Sequence, residues 1–179
     1  MSDFEKRTPP TRGGDDDTIG TAAWQQELVQ LLGDSARAQE IIDQVANDPR
    51  GLVDQMAHDP VLLDVLARAD VASSMHAWFS DRDQIWRSAL ERAGRLGESA
   101  AAIEWTFMGT HDIPGTLNHL PATFRSVEVH GVSIFGAEDG KLAVRRHIDW
   151  AGLYAQLGLT LNWRVPLDPN PGPDNIQQA

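Results

Sequence analysis

The chain has 179 residues, 41% of them hydrophobic, enough for one good core with no need of a second. It contains no cysteine, which excludes a disulfide framework, thiolate metal sites and a cysteine nucleophile, and fits a reducing compartment. Acidic residues outnumber Lys plus Arg by 26 to 15, so the net charge of −11 repels phosphate backbones, and Arg145-Arg146 is too short a cluster to track one. No apolar run nears the roughly 18 residues that span a bilayer, and the opening residues lack the apolar stretch of a signal peptide. The expectation is a soluble, cytoplasmic protein with neither nucleic acid nor membrane as partner.

Residues 1–20 combine Pro9-Pro10, Gly13-Gly14 and three consecutive aspartates, and read as a flexible arm. One domain is expected over 21–165, with 21–70 as a helical segment ahead of the rest. Trp24, Leu28, Leu31 and Leu32 recur at helical spacing, and Ala38, Ile41, Ile42 and Val45 repeat the pattern after Gly33-Asp34-Ser35. Asp48-Pro49 and Asp59-Pro60 each set a capping acid before a proline suited to a first helical turn, predicting helices over 50–57 and 60–69. Ser80 with Asp83 makes a capping-box-like start, and Ile85, Trp86, Ala89, Leu90 and Ala93 continue as an apolar stripe, predicting a further helix.

Near residue 100 the period changes from helix to strand. Ile103, Trp105 and Phe107 alternate with polar or flexible neighbours, and after a Pro- and Gly-containing loop Val127 and Val129 do the same. Beyond Gly131 the apolar parity moves to Val132 and Ile134, which predicts a bulge at His130-Gly131. Glu138-Asp139-Gly140-Lys141 reads as a hairpin turn, followed by a return strand with Leu142, Val144 and Ile148. A helix over about 150–157 closes at Gly158. Four prolines between 166 and 173 make 166–179 an extended tail. The fold class is α+β, with helices packed on one face of a curved antiparallel sheet.

Between Trp105 and Gly158 lie WTFMGTH (105–111), LPATFRSVEVHGVSIF (120–135), EDGKLAVRRHID (138–149) and AQLG (155–158). In order and spacing these resemble the SnoaL-like polyketide and ester cyclases of the NTF2-like superfamily. That resemblance implies a cone-shaped fold around an apolar pocket, a small apolar molecule as ligand, no cofactor, and a homodimer formed through the sheet. Two features depart from it. Family members have an additional strand before the GTH strand, where only residues 94–102 separate the predicted helix from Ile103. They also carry a strand aspartate as general acid/base, where this chain has Arg-His-Ile-Asp at 146–149. Counting from the Gly140-Lys141 hairpin puts His147 at that place; counting back from the QLG helix puts Arg146 there. Side chains alternate faces along a strand, so the one-residue slip decides which enters the cone.

On the first count His147 and Asp149 share a face, an imidazole beside a carboxylate that orients it for acid/base work. Arg146 falls on the apolar face with Leu142, Val144 and Ile148, as a cavity cation that polarises an oxygen or as a chain-end arginine reaching solvent. His111 ends the GTH strand and is placed to hydrogen-bond a substrate oxygen, or is a loop histidine satisfied by backbone. Trp105, Phe107, Trp78 and Trp86 are core or cavity wall. His58, His76, His119 and His130 are scattered without ligand spacing, so no metal is expected. Two functional readings follow. One is a cofactor-independent enzyme that cyclises or isomerises a small apolar carbonyl compound, with His147 as base. The other is a non-catalytic small-molecule-binding or accessory protein. A third possibility makes Leu52, Val53, Met56, Leu62, Leu63 and Leu66 a partner surface.

Overall fold

The computed structural model describes residues 19–75, 78–97, 100–113 and 121–158. The predicted arm, apart from its last two residues, and the predicted tail lie outside these, as do His76 and His119. Helix α1 (Ala22–Leu32) starts where the Thr21 hydroxyl accepts from the Trp24 N–H and ends at Gly33, whose φ of 63° lets the chain turn back. Helix α2 (Ser35–Asn47) follows at once, capped by Asp34. The two Asp-Pro steps open helices as predicted: Asp48 accepts from Gly51 at the head of α3 (Pro49–His58), and Asp59 accepts from Val61 and Leu62 at the head of α4 (Pro60–Met75). The six apolar residues weighed as a partner surface, Leu52 to Leu66, are all buried in the common core.

The sheet holds β1 (Ile85–Ser88), β2 (Gly94–Arg95), β3 (Ala100–Thr110), β4 (Ser126–Glu138) and β5 (Lys141–Ile148), all pairs antiparallel. Its order is β1-β3-β4-β5, with β2 pairing the same edge of β3 beyond β1. The helix predicted after Ser80 is therefore overturned: a 3₁₀ turn at Asp81–Asp83, β1, a second 3₁₀ turn at Leu90–Arg92 and β2 replace it. Tertiary hydrogen bonds outweigh the local pattern. Ser80 donates its hydroxyl and N–H to Asp112, and Asp83 accepts both the N–H and the hydroxyl of Thr110, so both residues of the presumed capping box tie this segment to the end of β3. Of the presumed apolar stripe, Trp86 turns inward while Ile85 and Leu90 stay exposed. The correction also supplies, in two pieces, the strand that the resemblance calls for ahead of the GTH strand.

No bulge interrupts β4. Its pairing with β3 runs in one register from Ala100↔Gly136 to Thr110↔Ser126, and that with β5 from Gly131↔Ile148 to Glu138↔Lys141. Odd-numbered positions of β3 and β4 face inward throughout: Ala101, Ile103, Trp105 and Phe107 on one, Val127, Val129, Gly131, Ser133 and Phe135 on the other. Gly131 is small for a reason of packing rather than bending. A Cβ there would stand 2.3 Å from the Trp105 ring, which lies over it. Asp139 and Gly140, with φ of 51° and 75°, make the tight turn into β5. Helix α5 (Trp150–Gln156), capped by Asp149, closes the described chain at Gly158 with φ of 82°. The architecture is α+β: among the described residues, five helices and a curved, unclosed antiparallel sheet with its buried side chains toward the helices. No helix among the described residues is long and apolar enough to cross a membrane.

Candidate functional site

Register along β5 follows directly from the β4 pairing. Inward Ala137, Phe135, Ser133 and Gly131 stand opposite Leu142, Val144, Arg146 and Ile148, so Arg146 enters the interior and His147 lies exposed on the other face. Asp149 lies beyond the strand and accepts from the Gly152 N–H as the α5 cap. No hydrogen bond or ion pair joins His147 to Asp149, so the structure does not bring these two residues together as an acid/base pair. Arg145 faces outward and pairs with Glu138, which puts the two adjacent arginines on opposite faces.

Arg146 meets a carboxylate that the sequence reading missed. Asp70 on α4 is fully buried, and its Oδ2 lies 3.4 Å from Arg146 Nε. The signal was present: Leu63, Leu66, Ala67 and Asp70 share one buried helical face, and an acid on such a stripe requires a cationic or hydrogen-bonding partner. Directly across from Arg146, Ser133 accepts from Trp105 Nε1 at 2.9 Å. Trp105 also stacks on Trp86 at 5.4 Å and 23°, and Trp86 Nε1 donates to Asp64 on α4 at 2.8 Å. The interior at the middle of the sheet is thus a closed set of polar pairs around two indoles. Trp105 is 1% exposed and serves as core there, with both ends of its ring system engaged. Phe107 is also core, edged by Phe79 at 5.4 Å, and Trp78 makes edge contacts with Phe79 and Trp150.

His111 occupies the opposite end of β3, eight residues from Ile103 and so about 26 Å of extended strand from the Arg146 row. One small molecule cannot touch both. The imidazole is fully buried against the edge of Phe79 at 6.0 Å. Its Nδ1 accepts from the Thr123 N–H at 3.2 Å, with the Thr123 hydroxyl at 3.1 Å. Because Nδ1 is the acceptor, the proton of the neutral ring sits on Nε2. That Nε2 is buried and has no hydrogen-bond partner among the described residues. Burial pushes the His111 pKa below the ordinary histidine range, with Asp112 nearby pulling weakly the other way. The neighbouring Asp112 carboxyl is held below its usual range by the Ser80 hydroxyl and N–H.

A lowered folded pKa fixes a sign for stability. The unfolded chain takes up the proton first as pH falls, so the contribution of neutral His111 is complete above the ordinary value of about 6.5 and is lost as pH drops toward the lower folded value. Denaturant titrations at a series of pH values should show stability falling below that point, with a shallower fall in His111→Phe. Equal slopes for the two proteins would contradict it.

A cleft of about 450 Å³ follows β5 past Leu142, Val144 and Arg145, adjoining Arg146 in the strand, and smaller ones lie elsewhere. One of about 360 Å³ runs between α3 and the β2–β3 edge, past Asp48, Arg50, Asp54 and Arg95, and one of about 20 Å³ touches Trp86 and Phe107. No group of three metal-ligating side chains gathers among the described residues.

No family model matches the chain, and no curated protein matches it. Among solved structures it is similar to TsrD from Streptomyces laurentii, with 20% identity and a TM-score of 0.40 over 71% of this chain and 98% of that one. It is also similar to a proposed polyketide cyclase from Acidithiobacillus ferrooxidans, at 15% identity and TM-score 0.37 over 76% and 96%. A third is AclR from Streptomyces galilaeus, a proposed hydroxylase, at 19% and 0.37 over 54% of this chain and 59% of that one.

Proposed function

We propose that the protein binds a small, largely apolar carbonyl compound at the His111 end of its sheet, with the imidazole Nε2–H donating to the carbonyl oxygen. The observation that carries this reading is the buried Nε2 itself, which has no hydrogen-bond partner among the described residues. An N–H without an acceptor in a buried site costs about 1–3 kcal/mol, and a ligand oxygen would recover it. Thr123 fixes the donor tautomer, the lowered pKa keeps the ring neutral near pH 7, and Phe79 and Phe107 supply apolar surroundings. The resemblance to SnoaL-like cyclases supports the same ligand class.

Binding is favoured over turnover. Enolisation needs a base beside the polarised carbonyl, and the nearest carboxylate in sequence, Asp112, is occupied by Ser80 and weakened as a base by its lowered pKa. Calorimetry with an aromatic methyl ketone and with the alkylbenzene of the same shape tests the donor. The ketone should bind about tenfold more tightly, His111→Phe should abolish the difference, and His111→Gln, which keeps a donor near the Nε2 position, should retain part of it. Equal affinities in the unaltered protein, or no binding of the ketone, would refute the reading. Protein-catalysed exchange of the ketone's α-protons in heavy water would restore the enzyme reading, with His111 as the polarising group.

A further inference from the structure

The outward face of the sheet carries a second constellation, independent of the interior. Thr106 on β3 stands directly opposite His130 on β4, and Thr106 Oγ1 lies 3.0 Å from His130 Nδ1. On the far side of that ring, Glu128 Oε1 lies 3.3 Å from Nε2. A carboxylate at Nε2 favours the proton there, which leaves Nδ1 as acceptor and makes the Thr106 hydroxyl the donor. Glu128 is itself held in place, because its N–H donates to Gln156 Oε1 and its carbonyl accepts from Gln156 Nε2, both at 2.8 Å. Across the other edge of β3, Arg87 pairs with Thr106, so their side chains share the face. Arg87 has no ion-pair partner among the described residues. Beside it, Ile85, 46% exposed, and Met108 form an apolar strip on the same face.

We propose that Thr106, His130 and Glu128 form a nucleophile, base and orienting acid for acyl transfer from small activated esters, with Arg87 drawing off charge from the tetrahedral oxyanion. Hydroxyl, imidazole and carboxylate in series are what nucleophilic catalysis requires, whatever their order in the chain. In the first step Thr106 Oγ bonds to the acyl carbon, its proton passes to His130 Nδ1 and from there to the leaving oxygen, and the alcohol or phenol departs as its bond to the acyl carbon breaks. In the second, water bonds to the acyl carbon of the acyl-threonine as its proton passes to His130 Nδ1, and His130 returns that proton to Thr106 Oγ as the ester C–O bond breaks and the carboxylic acid departs. No cofactor or oxidant enters the balance.

The test is hydrolysis of p-nitrophenyl acetate by the whole chain, with peptide mass mapping after acid quench. Nitrophenolate release should exceed that of Thr106→Val by about 10²-fold, an acetyl group should map to Thr106, and Glu128→Gln should fall between the two. Thr106→Val keeps a branched strand residue, and circular dichroism checks that it folds. An unchanged rate in Thr106→Val, or acetyl found on Lys141 or a histidine alone, would overturn the assignment. His58→Gln, at an exposed histidine on α3, should hydrolyse the ester at the unaltered rate, which separates this site from the general reactivity of surface imidazoles.

Discussion

Replacing Gly131 with alanine should destabilise the fold by about 3 kcal/mol, a fall in melting midpoint of roughly 6–12 °C for a chain of this size. The added Cβ would lie 2.3, 2.5 and 2.8 Å from three atoms of the Trp105 ring. Trp105 has little room to retreat: its ring is stacked on Trp86, and its Nε1 is bonded to Ser133. Relief requires either breaking that buried hydrogen bond or parting β3 from β4 at the middle of the sheet, and both are costly. The double variant with Trp105→Phe should lose less than the sum of its parts, because the smaller ring vacates the collision. Gly140→Asn is the control, since that turn is open and asparagine tolerates positive φ. An unchanged midpoint in Gly131→Ala would show that the indole does not sit where the structure has it.

Arg146→Met should be at least as severe, because it strips a fully buried carboxylate of its cation. Removing one member of a buried pair costs about 3–5 kcal/mol, most of it the penalty of the charge left behind. Asp70→Leu should cost less, because Arg146 retains 15% of its side-chain exposure and its long stem can carry the guanidinium outward. The double variant, with two apolar side chains of fitting size, should be more stable than Arg146→Met alone. Urea unfolding of the three variants measures the coupling; a double variant that loses the full sum would mean that the two groups act separately. The pairing also explains why Arg146, inward though it is, serves poorly as a free cation for a ligand oxygen.

Much of this arrangement was legible in the chain, and the failures have physical causes. The Asp-Pro steps fix α3 and α4 because capping and proline act within four residues. The strands β3 and β5 follow from alternation alone, and the same alternation, which groups Arg146 with Leu142, Val144 and Ile148, selects between the two register counts. Residues 80–93 misled because Ile85, Trp86, Ala89, Leu90 and Ala93 match the helical period by coincidence. What holds β1 in place is pairing with residues 105–108 and the hydrogen bonds that tie Ser80 and Asp83 to the end of β3, partners roughly 17 to 32 residues away in the chain. Gly131 misled in the same way. A glycine flanked by a shift of apolar parity is a local sign of a bulge, but its cause is a tryptophan on the neighbouring strand. His111 was recognised as a candidate by its place at the end of the strand. Its tautomer depends on Thr123, a contact across a loop that no local spacing reveals.

The stack of Trp86 on Trp105 has an optical consequence. Two indoles 5.4 Å apart and 23° from parallel, held in a chiral frame, couple their transitions and should give a paired positive and negative band in circular dichroism that isolated tryptophans lack. One partner belongs to the short edge strand β1 and the other to the central β3. The signal therefore reports the docking of that edge alone, and its loss ahead of the helical signal on heating would mark β1 as the first part of the sheet to let go.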